Sequence, residues 1–423
     1  MKPCNQGIKV YRPTAKVILL ILSHPCWGMI IGRTLAAFAT SIVALFSMGL
    51  LVGTAARADE IQLTPLIVDV LSPPTPVKGA DSAYHLVYEL QLANTSPVDL
   101  ELMEVGTFGN GALMFGLSGK ELAARFAIGG RRGAENSTLT VGQFGVLFLH
   151  IGPLAETAVP TSIVHRITLR RLDTGKDFTI SAAGQSAVNK PTNLVLSPPL
   201  KGEGYLAGDG CCDTIRHVRA LLPLNGRFAL AQRFAIDWEQ VGPDKRLVRG
   251  EKPDIKDVKS YNIYGKPVYA VADGTVVSRR DDLPDQTPGK LPDGLPIDEA
   301  DGNHVVLKLD DRTYALYAHL QRKDVAQPGA VRKGAVLGYV GNSGNTSAPH
   351  LHFHVMDGPS PLLSNGLPYL IDKFTMTAID EQGTADFDRA EATGVPLTLT
   401  LYEPKPKDSV LPMDLMVVDF AKE

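Results

Sequence analysis

Ser347-Ala348-Pro349-His350-Leu351-His352-Phe353-His354-Val355-Met356-Asp357 is the stretch whose reading decides the fold of this chain. In a β-strand successive side chains point to opposite faces, so His350, His352 and His354 share one face while Leu351, Phe353 and Val355 enter a core. Imidazole is the commonest metal ligand in proteins and titrates near neutrality, so a face lined by three of them is a candidate metal or acid/base site. The competing reading is a polar strand face on which histidines happen to coincide.

Neighbouring segments favour the first reading. Tyr314-Ala315-Leu316-Tyr317-Ala318-His319-Leu320 puts another imidazole at the end of a strand, and Phe234-Ala235-Ile236-Asp237 closes an apolar segment with a carboxylate that packing does not need. Asp and His from separate strands beside a His-x-His pair are suitable parts for a hydrolytic zinc site. The surrounding region is β-rich: Val268 to Ala272, the turn Asp273-Gly274 and Thr275 to Val277 form a predicted hairpin.

At these residues the chain resembles the lysostaphin/LytM-type zinc metallopeptidases, which cut peptide cross-links in peptidoglycan. The matching blocks, in the family's order, are Pro223 to Arg227, Ala235 to Asp237, Tyr264 to Val277, Gly302 to Val306, Tyr317 to Leu320, Val340 to Asn345 and Pro349 to Phe353. The resemblance implies a compact antiparallel β-sheet groove and zinc as cofactor. It makes Asp237 and His352 the metal ligands, and His319 and His350 the catalytic pair that activates water and stabilises the developing charge.

One position departs from the family pattern. The family's first ligand is a histidine four residues before the ligand aspartate, and Arg233 stands there. Guanidinium has no lone pair to offer a metal, so Arg233 is expected to form a salt bridge with Asp237, and Arg233→His is expected to raise metal affinity. Candidate substitutes for the lost ligand are His354, one strand step beyond His352, and His217, Cys211 and Cys212, just upstream of the domain. His304 lies in a block that matches the family in any case and is expected to be structural.

The rest of the 423-residue chain sets the frame. With 44% hydrophobic residues it can bury a sizeable core in two or three domains. A net charge of -3 with 21% charged residues shows no basic excess, which argues against nucleic acid as a partner. The basic N-terminus, the apolar run Leu35 to Gly53 and the small-x-small site Ala56-Arg57-Ala58 suggest a signal peptide, residues 1–58, cleaved after Ala58, with Met29 as an alternative start. An uncleaved anchor is the other reading of that run. Both place the bulk of the chain outside the cytoplasm, secreted or periplasmic, with membrane contact only through this segment. Of four cysteines, Cys4 and Cys26 leave with the signal; Cys211 and Cys212 are left open between pairing, free thiols and metal binding.

From Gln62 to Ser186 short period-two runs alternate with turn signals, as in His85 to Leu92 followed by Asn94-Thr95-Ser96-Pro97. The predicted fold class is therefore all-β: an N-terminal immunoglobulin-like β-sandwich (59–190), a Pro/Gly-rich linker (191–214), an antiparallel LytM-like peptidase domain (215–376) and a C-terminal β extension (377–423). His85, His150 and His165 in the sandwich are expected to be satisfied or exposed histidines. Two functions compete. One is an extracytoplasmic zinc endopeptidase acting on peptidoglycan peptides. The other is a catalytically degenerate module that binds peptidoglycan or activates a separate cell-wall hydrolase.

Overall fold

A computed structural model describes residues 62–131 and 136–422. The signal-peptide reading of residues 1–58 lies outside the described residues. The described residues are almost entirely β, as the period-two patterning requires, and among them two short α-helices, Gly119–Ala124 and Thr384–Thr393, interrupt the strands. Among the described residues no helix is long and apolar enough to cross a membrane.

Two antiparallel sheets form the N-terminal part. One runs Leu66–Val70, Tyr84–Asn94, Phe144–Leu154, Phe126–Ile128; the other runs Asp177–Ala187, Ser162–Arg171, Leu100–Gly109, Ala112–Ser118. Alternation puts Leu86, Tyr88, Leu90 and Leu92 of the first sheet opposite Leu102, Val105, Ile167 and Leu169 of the second, all buried in one core.

The remainder is organised on a twelve-stranded sheet. Its centre runs Leu370–Asp380, Met416–Phe420, Gly202–Gly208, Ile236–Gln240, Leu351–Met356, Thr313–Leu320, Asn303–Asp310, Gly274–Arg280. Two of these strands come from segments expected to lie outside the domain. Residues 191–214, predicted as a linker from their Pro and Gly content, supply Gly202–Gly208, which pairs with Ile236–Gln240. The C-terminal Met416–Phe420 is inserted between Gly202–Gly208 and Leu370–Asp380. Pro and Gly mark turns at the ends of 191–214 without preventing a strand between them. A core of Trp238, Tyr205 and Phe420 welds these segments, with Trp238 edge-on to Phe420 at 5.3 Å.

This sheet positions the histidine strand as expected. Leu351, Phe353 and Val355 are fully buried on one face, where Phe353 packs on Tyr317 and Tyr369. Across the ladder Asp237 sits directly opposite His352, and His352 opposite Ala318, so residues far apart in sequence meet on the other face.

Candidate metal centre

Asp237 and His352, paired in register, form the centre of the site: His352 Nδ1 lies 2.8 Å from Asp237 Oδ1. Spacing by two puts His350 on the same face, its Nε2 3.4 Å from Asp237 Oδ1. His319 arrives by a different device. Its neighbour Ala318 pairs with His352, so a regular pleat would send His319 to the opposite face. A left-handed φ of 61° turns it back, and its ring packs 4.7 Å from that of His350.

Backbone carbonyls set the tautomers. Since a carbonyl can only accept, His319 Nδ1 donates to Ser343 O (2.7 Å) and His350 Nδ1 donates to Ala348 O (2.8 Å). Both rings therefore turn Nε2 towards the cavity. Burial first, then the neighbouring His350 and His352, hold the His319 imidazole well below its ordinary range, so it is neutral near pH 7.

The remaining imidazole is His217, from the segment after Cys211-Cys212. This segment folds back on the end of the Gly202–Gly208 strand. His217 Nδ1 donates to Asp209 O at 3.0 Å, and Arg216 Nη1 donates to Asp209 Oδ2 at 2.8 Å. His217 Nε2 is thereby aimed at Asp237 Oδ2, 3.2 Å away. Burial lowers the His217 pKa, but the charge and hydrogen bond of Asp237 outweigh it and push it up to about 9. Burial raises Asp237, and the surrounding His217, His350 and His352 more than reverse this, holding the carboxyl well below the usual range.

Two groups of donors have metal-ligand spacing here, His217–Asp237–His352 and His319–His350–His352. The first supplies two imidazoles and a carboxylate, a donor set suited to zinc. Both imidazoles of this group also have an outer partner: His217 is fixed by Asp209 O, and His352 Nε2 lies 2.9 Å from His354 Nδ1. The reserve ligand His354 is thus a support behind His352, fully buried, with its own Nε2 unpartnered among the described residues.

Arg233 does not pair with Asp237. It lies in the turn closed by Ala235 N to Gln232 O, before the strand begins, and this turn points it out of the groove. There it grips Glu89 of the sandwich strand Tyr84–Asn94, Nε to Oε1 and Nη2 to Oε2 both at 2.8 Å, while Nη1 donates to Gly366 O. Both side chains are buried, at 4% and 0% exposure. The bidentate fork fits the carboxylate that the N-terminal sheet presents to it.

Cys211 and Cys212 are joined by a disulfide. His304 Nδ1 donates to the carbonyl of Gly302, away from the ligand groups. Of the sandwich histidines, His165 bonds Tyr88 Oη and His85 bonds both His150 and Asp81. His85 and His150 stand near Cys212 at metal-ligand spacing, but that sulfur is committed to Cys211.

The four imidazoles and Asp237 open on a cavity of about 400 Å³. Its wall contains a residue that sequence reasoning missed: Glu239, two positions after Asp237 and therefore on the same strand face, 3% exposed. The period-two rule that placed His352 beside His350 was enough to find it. Burial, with Glu391 and Asp237 nearby, pushes the Glu239 pKa well above the ordinary carboxylate range.

Residues 257–363 match the model of peptidase family M23. This segment is what the chain has in common with peptidase family M23. It includes His319, His350 and His352 and begins after Asp237, so the carboxylate and His217 lie upstream of the M23 match. The DD-carboxypeptidase/endopeptidase Mpg of Neisseria meningitidis serogroup B and that of Neisseria gonorrhoeae are each 34% identical over 105 residues, 23% of this chain and 24% of the relative. The chain thus spans about a quarter of the length of these curated relatives. Among solved structures, the catalytic domain of lysostaphin from Staphylococcus simulans is similar at 20% identity, covering 39% of this chain and 88% of that one, with a TM-score of 0.22. A putative peptidase M23 from Pseudomonas aeruginosa is 13% identical, covering 69% of this chain and 90% of that one, with a TM-score of 0.23. A zinc-containing peptidase from Vibrio cholerae is 14% identical, covering 70% and 83%, with a TM-score of 0.21.

Proposed function

We propose that the chain is an extracytoplasmic zinc metallo-endopeptidase that hydrolyses peptide bonds in peptidoglycan. The observation that carries this reading is His217 Nε2, 3.2 Å from Asp237 Oδ2, in a group with His352. Three protein ligands is the number a catalytic zinc site needs, and His217 restores it where Arg233 had removed it. The non-catalytic reading, in which the groove only binds peptidoglycan or activates another hydrolase, was favoured by a two-ligand count. His217 weakens that argument.

In this reading His217, Asp237 and His352 hold zinc, which when bound supplies Lewis acidity and lowers the pKa of water. The chain's own residues do the rest. His350 and His319 present Nε2 atoms on one side of the ligand group, in hydrogen-bonding reach of an attacking water and of the scissile carbonyl. One would accept the water's proton on Nε2; that imidazolium would hydrogen-bond the carbonyl oxygen as charge develops and then pass the same proton to the departing amine. Fixing Nδ1 of each on a carbonyl costs no reorganisation during the reaction.

Zinc analysis of protein purified without chelator, followed by a murein-hydrolysis assay, tests this. About one zinc per chain is expected for a single three-ligand site. His319→Ala and His350→Ala should retain the zinc and lose hydrolysis. Protein that cannot be loaded with zinc, or variants that still cleave, would overturn the assignment.

A further inference from the structure

Besides the proposed metal corner, the cavity wall carries further carboxylates: Glu239 on the Ile236–Gln240 strand, Glu391 on the Thr384–Thr393 helix, and Asp209. The guanidinium in this wall, Arg216, is already held by Asp209 and by Asp388. Glu391 accepts a hydrogen bond from Ser347 Oγ at 2.6 Å. Glu239 has neither a hydrogen-bond partner nor a counter-ion among the described residues, although it is 3% exposed and opens on the cavity. A buried carboxyl group left unpaired is costly, and the cost is recovered only if something arriving in the cavity satisfies it.

We infer that Glu239, with Glu391, forms a subsite for a primary ammonium group of the substrate peptide. The charge is right, since the cavity wall carries acceptors in excess of donors and three N–H donors of an ammonium can be shared between two carboxylates. The distance is right too. Asp237 and Glu239 are two positions apart on the strand, roughly 7 Å, so a peptide whose scissile bond lies at Asp237 would place the next residue's amine at Glu239. The inference rests on the peptidase reading for the direction of the peptide, and it adds a substrate class: peptides with a free amine within about one residue of the cut. That amine belongs either to a side chain or to a peptide N-terminus.

The experiment uses the zinc-loaded full chain and one synthetic cross-linked wall peptide in three forms: all amines free, the side-chain amine acetylated, or the α-amine acetylated. Acetylation of one of the two positions should raise KM about tenfold or more, the scale of a lost charged hydrogen bond, and should affect kcat far less. Which form is affected identifies the source of the ammonium. Glu239→Gln should show the same KM increase on the free peptide and should no longer distinguish it from the acetylated form, with zinc content unchanged. Glu391→Gln, at a half-exposed helical position, should give a smaller shift in the same direction. Equal KM values for all three peptides in the wild type, or undiminished discrimination in Glu239→Gln, would overturn the subsite. Binding of the three peptides by calorimetry separates this from the peptidase reading. If none is cleaved but the free peptide binds through Glu239, the subsite stands and the peptidase reading falls. Equal binding of all three overturns the subsite.

Discussion

Arg233 and Asp237 leave the same stretch of chain and do opposite things. Asp237 enters a cluster of imidazoles, its charge balanced by groups that a metal can replace. Arg233, four positions earlier, enters the sandwich and is sealed against Glu89 in a pair with no exposed side. One corner is chemically unfinished and the other is complete. The comparison teaches how, in the proposed site, a family ligand position is lost without loss of the ligand count: a histidine from upstream would take its place, and the vacated position ties the strand to Glu89 of the N-terminal sheets.

The largest effect should come from breaking the first corner. His217→Ala is expected to lower zinc affinity by more than about a hundredfold, the upper end of what losing an outer partner costs, and to abolish hydrolysis. Zinc content after dialysis checks it; a variant that retains zinc would show His217 to be only a partner of Asp237. Arg233→His should not compensate, because position 233 faces Glu89 and not the groove. This reverses the expectation that histidine there raises metal affinity.

Breaking the second corner should cost stability and spare the metal. Arg233→Met leaves Glu89 buried without a partner and is expected to destabilise the chain by about 3–5 kcal/mol, whereas Arg233→Met with Glu89→Leu should recover most of the loss. Denaturant titration measures both, with zinc affinity of the folded fraction unchanged within a few-fold. A similar loss from the single and the double variant would mean that the pair itself is stabilising.

A third test contrasts buried histidines that are not meant to bind metal. His165, fully buried in the sandwich, has its pKa lowered by burial from 6.5 to about 4. Between these values the unfolded chain binds a proton that the folded chain refuses. The resulting penalty is absent above pH 6.5 and grows as pH falls towards 4, on the order of 3 kcal/mol in full. Urea midpoints at pH 7 and pH 4.5 should differ accordingly, and His165→Gln should flatten the dependence. The smallest effect belongs to the support behind His352: His354→Gln is expected to weaken zinc binding about tenfold, read by competition with a chelator, without abolishing hydrolysis.

Much of this was legible in the residues themselves. Strand periodicity put His350 and His352 on one face and Leu351, Phe353 and Val355 in the core, because side-chain direction is a local property of the backbone. Asp237 stood out as a carboxylate ending an apolar segment, and Arg233 as a residue unable to ligate. His217 could be named as a substitute only because it lay nearby in sequence; nothing local favoured it over Cys211, Cys212 or His354.

What tertiary structure alone decided are the meetings that depend on the whole path of the chain. Arg233 and Glu89 are 144 residues apart, and neither carries a local signal of the other. Residues 191–214 and the C-terminal Met416–Phe420 became central strands, because pairing partners are chosen by which buried faces remain to be covered. The sequence by itself determined the chemistry available on each strand face. Which carboxylate completes an ion pair, and which histidine reaches Asp237, follow from long-range packing, in which a residue's partner is set by where the chain returns and not by its neighbours.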